Sequence, residues 1–242
     1  MANPTAAMLV IGDEILSGRT QDTNTHYLAG KLTAAGIDLR EVRVVADDAQ
    51  AIGTAARALS AAYTHVFTSG GIGPTHDDIT ADAIGAAFGA SVDVREDARA
   101  LLAARFTEMG VEFNDARLRM ARIPAGATLI DNPVSTAPGF SVGNVHVMAG
   151  VPQVFRAMLA GLLMRLAGGT APISETLRLE LPEGDIAGPL ADIAHAHPQL
   201  SIGSYPFFQD GTYGANIVVR GADAVAVAAA MAHLRQAFGG TI

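Results

Sequence analysis

The chain has 242 residues, with 16 Lys and Arg against 24 Asp and Glu, which gives a formal net charge of −8. That length suits one large domain or two modest ones, and it is enough to bury a substantial core. The negative charge argues against nucleic-acid binding, because gripping a phosphate backbone requires clustered cations. The absence of Cys excludes disulfides, thiol nucleophiles and Cys-ligated metals.

The first seven residues lack the basic start and apolar core of a signal peptide. Two stretches without charged residues, 58–76 and 132–155, are interrupted by Gly and Pro, so neither resembles a membrane span. We therefore expect a soluble, cytoplasmic protein with no membrane association.

The first two thirds of the chain alternate between strand-like and helix-like patterns. Predicted strands lie at 8–11, 37–45 and 65–68, and predicted helices at 23–35, 49–62 and 79–88. This alternation is typical of an α/β fold with a parallel sheet. Further helices are predicted at 96–109, 114–121 and 153–166, with a hairpin at 140–148. Five methionines look like core residues: Met109, Met120, Met148, Met158 and Met164.

A Gly-, Thr- and Pro-containing stretch at 167–172 is the best linker candidate. Beyond it, the pattern predicts β-α-β-β-α, which suits a small α+β module. The predicted domains are therefore 1–167 and 173–242.

The most informative segment is residues 69–80, with the sequence SGGIGPTHDDIT, between a predicted strand and a predicted helix. Its glycines allow close backbone approach to a ligand, and the start of the following helix favours a phosphate. The adjacent carboxylates of Asp77 and Asp78 would repel a phosphate unless a divalent cation lay between them. The alternative is a plain turn in which Asp78 or Thr80 caps the helix.

Polar residues also follow the other predicted strands at the same edge of the sheet. They include the segments 12–18 and 22–24 after the first strand, and Asp47 with Asp48 after the second. Helix capping is an equally good interpretation of Asp22, Thr23 and Asp48. A Pro- and hydroxyl-rich loop at 132–140 is either a ligand contact or a stiff connector.

Four sequence blocks, at 11–18, 22–24, 69–80 and 132–140, resemble the hallmark motifs of the competence/damage-inducible protein A family. They occur in that family's order. The same domain is related to molybdopterin-binding proteins of molybdenum-cofactor biosynthesis and to a domain of eukaryotic FAD synthases.

This resemblance implies a three-layer α/β/α domain with a mostly parallel sheet and a pocket for a phosphate-bearing nucleotide or pterin. It implies that Asp47 and Asp78 lie at the active site and have catalytic roles. From the residues themselves we expect Asp77 and Asp78 to hold a divalent metal, Mg, Mn or Co. The remaining expected ligand contacts are Gly12, Asp13, Glu14, Asp22, Asn24, Ser69, Gly70, Gly71, Gly73, Pro74, Thr75, Thr80, Asn132, Pro133, Ser135, Thr136, Ala137, Gly139 and Gly150. Analogy with the family also suggests a homo-oligomer.

The sequence departs from the family pattern in three places. Many members carry a further domain that deamidates nicotinamide mononucleotide, and we expect that activity to be absent here. The family's Pro-Gly-Pro-Pro is replaced by AGVP at 149–152. The adenylyltransferase branch has Arg at the position of Asp77, and a carboxylate there favours metal-assisted hydrolysis.

Three functions follow as alternatives. The first is metal-dependent hydrolysis of a nucleotide diphosphate of the ADP-ribose or FAD type, with Asp47 positioning or deprotonating water. The second is molybdopterin binding or adenylylation in cofactor biosynthesis. The third is a non-catalytic ligand-binding module.

Overall fold

The computed structural model describes residues 2–239, which divide into two compact units between Gly169 and Thr170. The division falls inside the predicted linker at 167–172. Each unit has its own apolar core.

The first unit contains the elements of an α/β domain. In chain order they are β1 (Thr5–Ile11), α1 (Asp13–Leu16), α2 (Asn24–Ala34), β2 (Asp38–Val45), α3 (Ala49–Ala62), β3 (His65–Ser69), α4 (Thr80–Phe88), β4 (Val92–Val94), α5 (Glu96–Glu108), α6 (Asp115–Leu118), a 3-10 turn (Arg119–Ala121), β5 (Arg122–Pro124), β6 (Thr128–Ile130), β7 (Gly139–Val142), β8 (Val145–Met148) and α7 (Pro152–Leu163).

Within the described residues, the main sheet has six strands in the order β2-β1-β3-β8-β7-β6. The first four strands are parallel to one another, and β7 and β6 continue the sheet in antiparallel fashion. The short strands β4 and β5 pair separately. The expectation of a mostly parallel sheet is confirmed.

The sheet is covered on both faces, and strand β1 shows why. Its residues are nearly all buried, but they alternate between two cores. Leu9 packs with residues of α3 and α4 on one face. Met8 packs with residues of α2 and α7 on the other. Because successive strand side chains point to opposite faces, a strand buried on both sides appears as a continuous apolar run. The predicted three-layer α/β/α architecture is confirmed.

Some local expectations are wrong. Met109 and Met164 are 54% and 87% exposed, so they are not core residues. Of the two capping candidates before α2, Thr23 makes no capping bond, whereas capping by Asp22 is confirmed, since its Oδ1 accepts the N–H groups of Asn24 and Thr25. Asp48 does cap α3, since its Oδ1 accepts the Ala51 N–H at 2.8 Å.

The second unit follows the predicted β-α-β-β-α order. Its elements are β9 (Ile173–Leu179), α8 (Glu183–Ala196), β10 (Ser201–Gln209), β11 (Thr212–Gly221) and α9 (Ala224–Phe238). The strands form an antiparallel sheet in the order β10-β11-β9. Alternate residues of β11, such as Ile217 and Val219, pack with α8 and α9. In neither unit is a described helix long and apolar enough to cross a membrane.

Candidate functional site

Four parallel strands deliver polar loops to one edge of the main sheet. Strand β1 ends at Ile11, β2 at Val45, β3 at Ser69 and β8 at Met148. The chain leaves β1 toward β2 on one side and reaches β3 on the other, so the strand order reverses at β1. In open α/β sheets, ligands bind beyond the carboxyl ends of the strands at such a reversal.

A cavity of about 610 Å³, which we call the loop cavity, lies at this edge. Twelve of the expected site residues line it: Glu14, Asp47, Gly70, Gly71, Gly73, Pro74, Asp77, Asp78, Asn132, Ser135, Ala137 and Gly150. Its volume is in the range of small-molecule sites. The sequence blocks at 11–18, 69–80 and 132–140 therefore meet in space, together with Asp47.

The glycines of the 69–80 loop are required by close contacts. Gly70 has φ 115°, and a Cβ there would lie 2.1 Å from the backbone oxygen of Ile11. Gly71 has φ 69°, and a Cβ there would lie 2.1 Å from Thr80 Oγ1. That hydroxyl donates to the Gly70 carbonyl at 3.1 Å. Gly150, from the loop after β8, also abuts Gly70, because its Cβ would lie 3.3 Å from the Gly70 Cα. The floor of the cavity is therefore made of peptide backbone.

Asp78 organises this loop. Its Oδ2 accepts the N–H of Thr75 at 2.8 Å and the Thr75 hydroxyl at 2.5 Å. It therefore does not cap α4, and Thr80 uses its hydroxyl on Gly70 instead. The pKa of Asp77 is lowered chiefly by the nearby Thr75 hydroxyl, although the hydrogen bond of that hydroxyl runs to Asp78.

Asp47 lies among other acids. Its Oδ2 accepts the N–H of Asp13 at 2.9 Å, so the start of α1 is tied to the loop after β2. Partial burial raises the pKa of Asp47, and the Asp13 N–H opposes that rise. The carboxylates of Asp13, Glu14 and Asp77 raise the pKa of Asp47 further. The environments of Asp47 and Asp77 thus shift their pKa values in opposite directions.

The charges lining the loop cavity are all negative. Glu14, Asp47, Asp77 and Asp78 contribute carboxylates, and no described Lys or Arg lines it. The nearest cation with a hydrogen bond to the loop is Arg119, whose Nη2 reaches the Asp78 backbone oxygen at 3.5 Å. An anionic ligand in this cavity therefore requires a counter-cation.

Asn132 holds the 132–137 loop in shape. Its Nδ2 donates to Ser135 Oγ at 2.6 Å and to the Ala137 carbonyl at 2.8 Å. Its Oδ1 accepts two backbone N–H groups, from Val134 and Ser135. Thr136 has φ 68°, which is unfavourable for a β-branched residue. The segment is therefore both a stiff connector and part of the candidate site, because it holds Ser135 and Ala137 in the cavity lining.

A smaller recess of about 50 Å³, which we call the annex, adjoins the loop cavity. The expected residues Asp22, Asn24 and Ser69 line it, and it shares Glu14 and Gly150 with the loop cavity. Asp22 Oδ1 already accepts hydrogen bonds from the first N–H groups of α2.

Seven expected contacts line neither space, and each has another role or position in the loops. They are Gly12, Asp13, Thr75, Thr80, Pro133, Thr136 and Gly139. Thr80 is fully buried, and a Cβ on Gly139 would lie 2.3 Å from the backbone oxygen of Val147. Gly12, Thr80 and Gly139 are buried, whereas Asp13, Thr75 and Pro133 are exposed.

Apart from residues 149–152, the sequence did not predict the mostly apolar wall of the cavity. The loop cavity is also lined by Ile11, Thr20, Ile72, Met120, Ala149, Val151, Pro152 and Val154. Met120 was expected in the core. Residues 149–152 depart from the family pattern, a difference expected to reshape one wall of the pocket, and they do lie in this wall.

No group of three or more His, Asp or Glu side chains in residues 2–239 is placed to hold a metal ion by itself. Mg²⁺ commonly binds through one or two carboxylates together with substrate phosphates and water. Asp77 and Asp78, both in the lining of the loop cavity, are the residues to which the expectation of a metal site refers.

Fold and cavity together define an α/β ligand-binding domain, and comparison with known proteins gives its family. Residues 7–168 match the family model "Probable molybdopterin binding domain", and residues 172–242 match "FAD synthase, middle domain". The chain belongs to the molybdopterin-binding-like family that includes CinA, the competence/damage-inducible protein A.

Three relatives illustrate the match. The crystal structure of CinA from Thermoplasma acidophilum, a protein of unknown function, is 36% identical with a TM-score of 0.62, covering 68% of this chain and 99% of that one. A protein of Pyrobaculum calidifontis is 36% identical over 84% of this chain and 81% of its own length. A probable FAD synthase of Caenorhabditis elegans is 30% identical over 98% of this chain, but the match spans only 50% of that relative.

Proposed function

We propose that the chain hydrolyses a nucleotide diphosphate linkage of the ADP-ribose or FAD type with the help of a divalent metal. The observation that carries the proposal is the lining of the loop cavity, which combines the glycine loop with four carboxylates, two of them from that loop, and contains no described cationic side chain. A diphosphate binds there only with a metal ion to offset the repulsion between like charges.

The glycine loop supplies the phosphate contacts. The backbone of residues 70–73 lines the cavity floor, close to the start of α4. Backbone N–H groups near a helix start favour anions. The apolar wall that includes Ile72, Met120 and Val154 suits the base or ring of the ligand.

Asp77 and Asp78 are the proposed metal ligands. The Asp77 side chain is exposed and lines the loop cavity beside Asp78. Asp78 uses Oδ2 to hold Thr75, and no described residue donates a hydrogen bond to its Oδ1. A bound divalent metal would neutralise phosphate charge and help activate water.

Asp47 is the proposed base. Its raised pKa brings it closer to neutral pH than an ordinary Asp, which is the direction a general base requires. Water attacks one phosphorus, the bond from that phosphorus to the bridging oxygen breaks, and the proton of the water passes to Asp47. ADP-ribose would yield AMP and ribose 5-phosphate.

A second function, adenylyl transfer in cofactor synthesis, is favoured by one observation. The Caenorhabditis elegans relative that matches 98% of the chain is named a probable FAD synthase. The same loops would then hold a pterin or flavin phosphate and a nucleotide, with Asp47 and Asp78 again in the site.

The decisive experiment measures AMP release from ADP-ribose and from FAD, with Mg²⁺, Mn²⁺, Co²⁺ or EDTA. We expect metal-dependent release, and a fall of about 100-fold or more in Asp47→Asn, which is the usual effect of removing a general base. Asp48→Asn is the matched control, because it makes the same charge change one residue away and keeps an amide oxygen for capping α3.

The outcomes separate the candidates. Full AMP release in EDTA, or in Asp78→Asn, would overturn the metal assignment. Stabilisation by molybdopterin without AMP release from any dinucleotide would replace hydrolysis with the cofactor-synthesis function. Stabilisation by ligand without turnover in any metal would leave a binding module.

A further inference from the structure

The annex contains a buried amide with one unused atom. Asn24 is only 5% exposed. Its Nδ2 donates to Ser69 Oγ at 2.7 Å and to the Gly150 carbonyl at 2.8 Å. Because a carbonyl can only accept, these contacts identify Nδ2, and the other atom is Oδ1. Within the described part of the chain, Oδ1 is buried and has no hydrogen-bond partner.

Buried polar atoms in proteins nearly always have a partner, so the unused Oδ1 points to a group supplied from outside the chain. Asn24 and Ser69 both line the annex, so a group that enters it lies beside this amide. It opens to the loop cavity, with which it shares Ile11, Glu14 and Gly150 among others.

The size of the annex restricts what enters it. Its volume is about 50 Å³, whereas a cavity of about 150 Å³ is needed to hold benzene. A purine or pterin ring is therefore too large, and a hydroxyl or amino group fits.

The chemistry of the annex selects between these two groups. The carboxylates of Glu14 and Asp22 line it and disfavour a phosphate. Ser69 Oγ accepts from Asn24, which leaves its own proton to donate. A ligand group that donates to Asn24 Oδ1 and accepts from Ser69 is a hydroxyl, because an amino group on an aromatic ring only donates.

The position of the annex indicates which hydroxyl. Ser69 directly precedes Gly70, the first glycine of the proposed phosphate loop, so annex and phosphate site are one residue apart along the chain. In a nucleotide, the ribose hydroxyls lie a few bonds from the 5′-phosphate. We propose that the annex is a subsite for a ribose hydroxyl, bound by Asn24 and Ser69, which act as specificity-determining residues. This rests on the proposed function, in which the ligand is a nucleotide.

The test uses the full chain with Mg²⁺ and compares the dissociation constants of AMP, 2′-deoxyAMP and 3′-deoxyAMP by calorimetry. We expect AMP to bind about 10-fold more tightly than the analogue that lacks the bound hydroxyl, as for loss of one buried hydrogen bond. This comparison needs no variant, so it does not depend on whether an altered Asn24 still folds.

Ser69→Ala tests the protein side. We expect the preference for AMP over the deoxy analogue to shrink toward equality in that variant. Ser141→Ala is the matched control, because it removes a hydroxyl that contacts His146 away from the annex, and it should keep the preference.

Three results would overturn the inference. Equal binding of AMP and both deoxy analogues would refute the ribose subsite and leave the proposed nucleotide function standing. Full preference retained in Ser69→Ala would refute the assignment to the annex. Binding of pterin but of no nucleotide would refute both this inference and the proposed function.

Discussion

Gly71 offers a sharp test of how the glycine loop is built. A Cβ at this position would meet two separate penalties. The backbone has φ 69°, which costs a non-glycine residue about 1–2 kcal/mol. The Cβ would also lie 2.1 Å from Thr80 Oγ1, so that hydroxyl must move and give up its bond to the Gly70 carbonyl. Losing a buried hydrogen bond costs about 1–3 kcal/mol. Gly71→Ala should therefore reduce the free energy of unfolding by about 2–5 kcal/mol.

Gly89 provides the control for backbone strain. It ends α4 with the same φ of 69°, and a Cβ there would have no atom within 4 Å. Gly89→Ala should therefore cost only the strain, about 1–2 kcal/mol. The difference between the two substitutions measures the crowding in the loop.

Thr80→Ala completes a double-mutant cycle. It removes the atom nearest the new Cβ, so Gly71→Ala should be milder in that background and approach the cost of Gly89→Ala. Unfolding in urea followed by circular dichroism gives the four free energies. The reasoning fails if Gly71→Ala costs no more than Gly89→Ala, or if its cost is the same with Ala at position 80.

Three further predictions concern other parts of the fold. His146 is 5% exposed, and burial lowers its pKa to about 4, so the unfolded chain takes up this proton before the folded chain does as the pH falls below 6.5. The free energy of unfolding should therefore decline by about 3 kcal/mol between pH 6.5 and 4, and urea unfolding of His146→Phe should lack that part of the decline. Thr136→Gly should raise the free energy of unfolding by about 1 kcal/mol because φ is 68° at this β-branched residue, whereas Asp210→Gly, at φ 53°, should raise it less since Asp tolerates this conformation. Equal shifts in melting temperature for the two variants would contradict this. Limited proteolysis should cut first within 167–172 and release two resistant fragments, since each unit has its own core; a first cut elsewhere would count against the division.

Much of the fold could be predicted because its strands carry strong local signals. The run at 8–11 is apolar at every position, which is typical of a strand buried on both faces. The four-residue helix α1 was missed because it is too short to show helical periodicity. The three-residue strands β4, β5 and β6 were missed for the same reason.

The site was less predictable than the fold. The glycine loop and its acids could be found because Gly and Asp are unusual in that combination. The wall residues Met120 and Val154 could not be separated from core residues, since an apolar side chain looks the same in a core and in a cavity. Met164 is the opposite case, since it was predicted to lie in the core and is exposed; its exposure depends on the tertiary structure, which the local sequence does not reveal.

The contact between Gly70 and Gly150 bears on how such a site changes during evolution. A Cβ at Gly70 would lie 2.1 Å from the Ile11 backbone oxygen, and one at Gly150 would lie 3.3 Å from the Gly70 Cα. Neighbouring backbone therefore resists the addition of a side chain at these two positions of the floor. Ligand preference in such a domain can be retuned only through the walls, at positions such as Met120, Val151 and Val154, and through the annex. Relatives with different substrates should therefore share this floor and differ around it.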